Sequence, residues 1–177
     1  VYPNDFRAYN NLGELAFAAG DAAKAESYFK QAASKNANAP EVNANLGLCE
    51  LVKGNVAAAE SYLGKATGAN AANEALGNLY IKQGQYDRAV NAFGDAKTNS
   101  AAQAQILAKD YNKAKATLSA IKNPDAMTDY LMAIVGARTN NASLVSSSIK
   151  SAIAKDASMA QRAANDREFA KFADSIK

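Results

Sequence analysis

The side chains of this sequence that could do chemistry are carboxylates and one thiol. None of the 177 residues is a histidine, which excludes histidine-based acid–base catalysis, serine–histidine–aspartate triads and histidine metal sites. Glu14, Glu41, Glu50 and Glu74 fall on helices predicted below, so a carboxylate pair is the catalytic arrangement that remains. Glutamates at such positions are common surface or groove residues. We therefore predict that the protein is not an enzyme.

Cysteine and glycine add no reactive or phosphate-binding motif. Cys49 is the single cysteine, so the sequence holds no intrachain disulfide. We expect it to be structural, because a free cysteine commonly behaves as a small buried hydrophobe. The glycines do not form the GxxxxGK pattern of a phosphate loop. We therefore expect no metal and no cofactor.

The charge pattern argues against nucleic acid and against a membrane span. The net charge is +3, from 20 basic and 17 acidic residues, and the lysines are scattered rather than clustered on one face. No stretch approaches the roughly 18 uninterrupted apolar residues of a transmembrane helix. We expect no nucleic-acid partner and no membrane insertion by this segment.

The elements that carry these residues are helices arranged in repeats. Alanine, the strongest helix former, accounts for 42 of the 177 residues. Segments 10–32 and 44–66 align at a constant offset of 34 residues, and segment 74–96 is a third copy. The positions shared by the first two are Leu12-Gly13 with Leu46-Gly47, Gly20 with Gly54, and Ala25–Tyr28 with Ala59–Tyr62.

This pattern resembles the tetratricopeptide repeat, whose signature runs Trp-x2-Leu-Gly-x2-Tyr, then Ala-x3-Phe and a closing proline. The matching residues are Tyr9, Leu12, Gly13, Ala16, Ala25 and Phe29 in the first copy and Tyr80 in the third. The usual tryptophan is replaced by Tyr9, Asn43 or Asn73, and Glu50 replaces the tyrosine of the second copy. The resemblance implies an all-α fold, an α-α superhelix in which ten to twelve helices form a right-handed solenoid of antiparallel pairs.

The turn and crossing positions follow from this fold. The first helices of the three copies should end at Gly20, Gly54 and Gly84, because glycine can take the left-handed conformation that a helix C-cap needs. The predicted turn residues are Gly20, Gly54, Gly84, Lys109 and Asn140. Gly13 is small where the first two helices should cross closely, and we expect Leu12 and Phe29 to fill the space beside it.

The repeat pattern also divides the chain. We predict three tetratricopeptide units, two degenerate helix pairs and terminal capping helices. Their residues are 6–39, 40–69 and 70–97 for the units, 98–156 for the degenerate pairs and 157–177 for the caps. Pro3 stands where a preceding copy would place its closing proline. We therefore expect Val1–Asp5 to end an upstream repeat, with Asp5 capping the first helix, in the C-terminal part of a longer array.

The first helices of such arrays line a concave inner groove, which in this family usually binds an extended peptide or a helix. Carried over residue by residue, the predicted groove residues are Arg7, Asn10, Glu14, Phe17, Glu41, Asn45, Leu48, Leu51, Glu74, Asn78, Ile81 and Lys82. Some members clamp a C-terminal carboxylate with lysine, asparagine and arginine. The glutamates here would repel a carboxylate, so we do not expect that role.

Two functions fit this architecture. The first is a protein-interaction scaffold that binds a peptide or partner protein in the groove. The second is a structural spacer or docking arm of a larger cell-envelope protein, with no ligand of its own. An enzyme or carbohydrate-binding protein is disfavoured because histidine and tryptophan are both absent. The Ala-, Asn-, Ser- and Lys-rich composition, together with the family resemblance, favours the bacterial periplasm or cell envelope; the oligomeric state is unknown.

Overall fold

A computed structural model of the chain describes residues 5–66 and 68–175, except for the side chain of residue 175. In this part of the chain the regular structure consists of eleven α helices and one terminal 3₁₀ helix. The helices are α1 (Phe6–Ala18), α2 (Ala22–Lys35), α3 (Pro40–Val52), α4 (Val56–Lys65), α5 (Asn70–Lys82), α6 (Tyr86–Phe93), α7 (Asn99–Leu107), α8 (Tyr111–Ser119), α9 (Ala126–Arg138), α10 (Ala142–Lys155), α11 (Ser158–Asn165) and the 3₁₀ helix Arg167–Ser175. The predicted all-α fold of the tetratricopeptide solenoid class is confirmed.

The helix boundaries follow local capping signals. Asp5 caps α1, since its carboxylate accepts the Arg7 N–H at 3.0 Å, as predicted. The remaining residues of the proposed upstream repeat end, 1–4, lie outside the described residues. Pro40 begins α3, where a proline costs nothing because the first N–H of a helix has no partner inside it.

Five helix pairs share one type of turn, whatever their sequence. Each pair is joined by three residues, and the N–H of the last of them reaches back five residues to a carbonyl, the bond of a Schellman motif. These five bonds, of 2.8–3.0 Å, are Asp21 to Ala16, Asn55 to Glu50, Gln85 to Tyr80, Asp110 to Gln105 and Asn141 to Gly136. The same residue is the N-cap of the second helix, so one position ends one helix and starts the next.

The backbone at the turns has a left-handed conformation, as the sequence predicts for the three glycines. Gly20, Gly54 and Gly84 have φ values of 82°, 79° and 72°. Lys109 and Asn140 reach 64° and 55° although they carry side chains. Asparagine adopts this region more readily than most residues, whereas lysine does so at some cost in strain. All five predicted turn residues are confirmed.

The first helices of the early pairs cross their partners at very short distance. A Cβ atom added to Gly13 would lie 2.4 Å from Cε1 of Phe29, and one added to Gly47 would lie 2.6 Å from Cγ of Leu63. The predicted close crossing at Gly13 is confirmed. Only a residue without a side chain fits there while the large partner is buried on the facing helix.

One packing prediction is wrong. Leu12 is 43% exposed rather than packed beside Gly13, whereas its repeat equivalent Leu46 is 3% exposed. Leu46 belongs to a core cluster that includes Phe29 of α2. The described residues place no helix against Leu12 in the way that α2 covers Leu46.

The later pairs keep the same layout with different residues. The positions that Gly13 and Phe29 hold relative to the turn are held by Ala102 and Leu118 in the fourth pair. In the fifth pair they are held by Ala133 and Ile149. All four residues are buried. A slightly larger residue on the first helix thus faces a smaller one on the second.

The position four residues before each turn is the variable one. Its five occupants are Ala16, Glu50, Tyr80, Gln105 and Gly136. The polar ones need partners when buried. Glu50 accepts a hydrogen bond from Asn55 at 2.8 Å, and Tyr80 accepts one from Arg88 at 2.7 Å. Gln105 is 1% exposed, and its Oε1 has no hydrogen-bond partner among the described residues.

The chain forms two compact units, the first ending at Leu79 and the second beginning at Tyr80, so their boundary lies within α5. In the second unit the 3₁₀ helix places Phe169 and Phe172 on one face, as the sequence predicts, because residues three apart eclipse in a 3₁₀ helix. Phe169 meets Tyr130 of α9 edge to face, with ring centroids 5.5 Å apart.

Candidate protein-interaction surface

Four predicted groove residues of the first unit come together around one cavity. Glu14 and Phe17 of α1 and Asn45 and Leu48 of α3 line a space of about 220 Å³, which we call the α1–α3 cavity. Ala18 and Phe29 complete its lining. The sequence did not assign these two residues to the groove, because Phe29 lies on α2 and its repeat position predicts only a core residue.

The α1–α3 cavity is an apolar socket with a polar rim. Phe17, Leu48 and the ring of Phe29 supply apolar walls, and the polar groups of Glu14 and Asn45 lie beside them. Small-molecule sites usually measure roughly 300–1,000 Å³. The α1–α3 cavity is smaller than that range, and its size suits a single large apolar side chain better than a whole metabolite.

A hydrogen-bonded cluster joins α1 to α3 at this rim. Asn10 Nδ2 donates to Glu14 Oε1 at 2.8 Å. Asn45 Nδ2 donates to Asn10 Oδ1 at 2.9 Å and to Glu14 Oε1 at 3.1 Å. Asn10 is buried, so it holds Glu14 and Asn45 in place rather than offering its own amide to a ligand.

Arg7 lies in the first turn of α1 and forms an ion pair with Asp5. Its Nε contacts both carboxylate oxygens of Asp5, at 2.9 and 3.1 Å, and its terminal nitrogen lies 2.8 Å from Oδ2. The hydrogen bonds from Arg7 lower the pKa of Asp5, and those to Asp5, with a smaller contribution from Glu41, raise the pKa of Arg7. Arg7 therefore brings little free positive charge to the groove.

The other predicted groove residues do not line the α1–α3 cavity. Leu51 is half-buried and packs on a core cluster that contains Leu63. Exposure on α5 is high for Glu74 and Lys82 and intermediate for Asn78 and Ile81.

Glu50 and Cys49 belong to a different environment on α3. Glu50 is buried rather than on the groove surface, and Lys53 lies 2.5 Å from it and 3.1 Å from Glu26 of α2. The hydrogen bonds from Lys53 and Asn55 lower the pKa of Glu50. Cys49 is 2% exposed, and burial raises the pKa of its thiol, which confirms the structural interpretation.

Neither a metal-binding cluster nor a membrane-spanning helix occurs in the described ranges. Residues 5–66 and 68–175 contain no group of three or more cysteine, aspartate or glutamate side chains that could hold a metal ion. None of the helices described here has both the length and the apolar character needed to cross a bilayer.

Helix pairs joined by Schellman turns, with a socket between successive first helices, define a helical-repeat scaffold. Residues 16–80 and residues 71–101 each match the sequence profile of the tetratricopeptide repeat. The chain therefore consists of tetratricopeptide repeats over residues 16–101. The fifth helix pair lies beyond both matched segments. No curated protein sequence matches the chain.

Solved structures share this fold at low sequence identity. A tetratricopeptide repeat protein from Parabacteroides merdae superposes with a TM-score of 0.75 at 17% identity, over 97% of this chain and 76% of the other. YrrB, described as a tetratricopeptide protein with an unusual peptide-binding site, gives 0.70 at 18%, over 92% and 93%. PilW, described as a type IV pilus biogenesis factor, gives 0.67 at 20%, over 96% and 83%. Proteins of this family are in general non-catalytic scaffolds for protein partners.

Proposed function

We propose that this protein binds an extended peptide segment of a partner protein in the inner groove of its first unit. The observation that carries this proposal is the α1–α3 cavity, in which Phe17, Leu48 and Phe29 surround a space for one side chain. Asn45 at its rim can hydrogen-bond the backbone of a bound peptide. Burying one large apolar side chain contributes about 1.5–3 kcal/mol, enough to anchor a peptide whose other contacts are polar.

The structural likeness to YrrB, whose description names a peptide-binding site, supports this proposal. The predicted groove residues Glu74 and Asn78, on the part of α5 that belongs to the first unit, would extend the same surface. We propose that the protein works without catalysis, as a scaffold, and that its location is the bacterial periplasm or cell envelope. Fractionation of cells that express the natural gene tests the location.

Site-directed photo-cross-linking tests the groove. A photoreactive phenylalanine analogue in place of Phe17 should capture a partner peptide that mass spectrometry can sequence. The double variant Asn45→Ala with Leu48→Ala should abolish the capture while the helical circular dichroism signal stays intact. A matched control, Asn91→Ala with Lys97→Ala, alters two exposed positions of the second unit and should leave capture unchanged. Equal capture by both double variants would contradict groove binding and favour the spacer role.

A further inference from the structure

The rim of the α1–α3 cavity presents hydrogen-bond acceptors rather than donors. An ionised carboxylate can only accept, so the amide nitrogens of Asn10 and Asn45 must both face Glu14 Oε1. Asn45 uses its amide group on Asn10 Oδ1 and Glu14 Oε1. Its own oxygen, Oδ1, and Glu14 Oε2 receive no hydrogen bond from any described residue. A ligand at this rim must therefore bring donors.

The charge of Glu14 is also uncompensated, in contrast to the acidic residues on the other side of α3. Glu26 has Lys30 at 2.7 Å and Lys53 at 3.1 Å. In the part of the chain that the structure describes, Glu14 and the exposed Glu41 have no lysine or arginine within ion-pair distance. Arg7, the predicted basic residue of this stretch, is held by Asp5. The groove of the first unit thus carries negative charge beside an apolar socket.

We propose that the α1–α3 cavity selects a peptide in which a large apolar residue is flanked by lysine or arginine. This inference rests on the proposed function of the groove and specifies its partner. The apolar side chain enters between Phe17 and Leu48. The flanking cation reaches Glu14 Oε2, and a peptide N–H donates to Asn45 Oδ1. A peptide that ends in a free carboxylate, or that carries acidic residues at the flanks, is repelled.

Titration with synthetic peptides tests this selectivity. The probes are two capped heptapeptides with a central leucine, one with lysine and the other with glutamate on both sides. Amide chemical shifts of the ¹⁵N-labelled protein report binding at Phe17 and Leu48. We expect the lysine peptide to shift these signals and the glutamate peptide to bind at least about fivefold more weakly, with the difference reduced in about 1 M salt. Replacing the central leucine by alanine should weaken binding on the order of tenfold.

Variants separate the charge from the socket. Glu14→Gln keeps the oxygen that accepts from Asn10 and Asn45 but puts an N–H at the free position. It should weaken the lysine peptide about two- to fivefold and abolish the preference over the glutamate peptide. Asp95→Asn removes an exposed charge of the second unit and should leave the preference unchanged.

The outcomes distinguish this inference from the groove proposal. Equal binding of both charged peptides, or stronger binding of the glutamate peptide, would overturn the inference while peptide binding in the groove stands. A lysine peptide that shifts no groove signal would also overturn it, and the photo-cross-linking experiment would then decide the groove proposal by itself. A preference that survives Glu14→Gln would show that this carboxylate is not its source.

Discussion

The first and fifth helix pairs have the same layout and almost no sequence in common. In α1–α2, Gly13 faces Phe29 across the crossing. In α9–α10 the equivalent positions hold Ala133 and Ile149, both buried. Each pair has a three-residue turn closed by the same backbone bond. What the two pairs share is therefore a turn geometry, and at the crossing the fifth pair combines a larger residue on its first helix with a smaller one on its second.

The first and fifth pairs also differ by a second paired exchange of a small and a larger residue. The fifth pair has Gly136 where the first has Ala16, and Val145 where the first has Ala25. A Cβ atom added to Gly136 would lie 3.0 Å from the backbone nitrogen of Val145. The close approach has thus moved by one turn along the helix. Such paired exchanges keep the pair intact after the family sequence pattern has gone.

Substitutions at Gly13 and Phe29 test whether these two positions compensate for each other. We expect them to change the free energy of unfolding more than the other substitutions below. Gly13→Ala should destabilise the protein by about 1–3 kcal/mol, because the new methyl group overlaps the buried Phe29 ring. Adding Phe29→Ile reproduces the fifth pair and should recover part of the loss, with a coupling energy of about 0.5–3 kcal/mol in a double-mutant cycle. The measurement is urea unfolding followed by circular dichroism. Strictly additive effects would contradict the compensation.

A substitution at Gln105 should raise the free energy of unfolding rather than lower it. A buried acceptor without a hydrogen bond costs about 1–3 kcal/mol, so Gln105→Met should raise the free energy of unfolding by about 1 kcal/mol. The control is Gln103→Met on the same helix, where the exposed side chain should change stability by less than about 0.5 kcal/mol. Loss of stability in Gln105→Met would show that the amide contributes to the fourth pair.

The fifth helix pair begins with a cap, Asp125, whose contribution to stability should depend on pH. Asp125 accepts from the Thr128 N–H at 2.8 Å and from Asn99 of α7 at 3.0 Å. Thr128 lowers the pKa of Asp125 below its ordinary value of 3.8. The ionised carboxylate therefore stabilises the folded state fully above that value, and the contribution disappears as the pH falls through the lower folded-state pKa.

Removing this cap should have an effect on stability that depends on pH. Asp125→Ala should cost about 0.5–2 kcal/mol near pH 7 and less at about pH 2.5, whereas Asp125→Asn keeps a capping oxygen and should lose little at either pH. Unfolding by urea at the two pH values measures the difference. A cost of Asp125→Ala that does not change with pH would place the effect in packing rather than in the carboxylate charge.

The sequence predicted the turns and the helix pairs because both depend on local residues. In the first and fifth pairs a glycine or asparagine ends one helix, and the side chain that follows it, Asp21 or Asn141, caps the next. Whether a given residue is buried could not be predicted in the same way, because it depends on which helices outside its own repeat pack against it. Leu12 and Leu46 are identical in sequence position but differ in exposure, and Phe29 belongs to the core and to the α1–α3 cavity at once. Periodicity identifies a helix face but does not show whether another helix covers it. The choice of groove residues as ligand contacts stays a prediction.

The constant three-residue turns have a consequence for insertions. The connections inside pairs never change length, whereas those between pairs grow from four residues at 36–39 to six at 120–125. An insertion at 139–141 would separate the Asn141 N–H from its Gly136 acceptor, whereas one between Lys122 and Asn123 would separate no such pair. Evolution can therefore add or remove residues on one side of each helix pair. The exposed residues Lys122 and Asn123 are where a foreign loop or a tag can be grafted at the least cost to the fold.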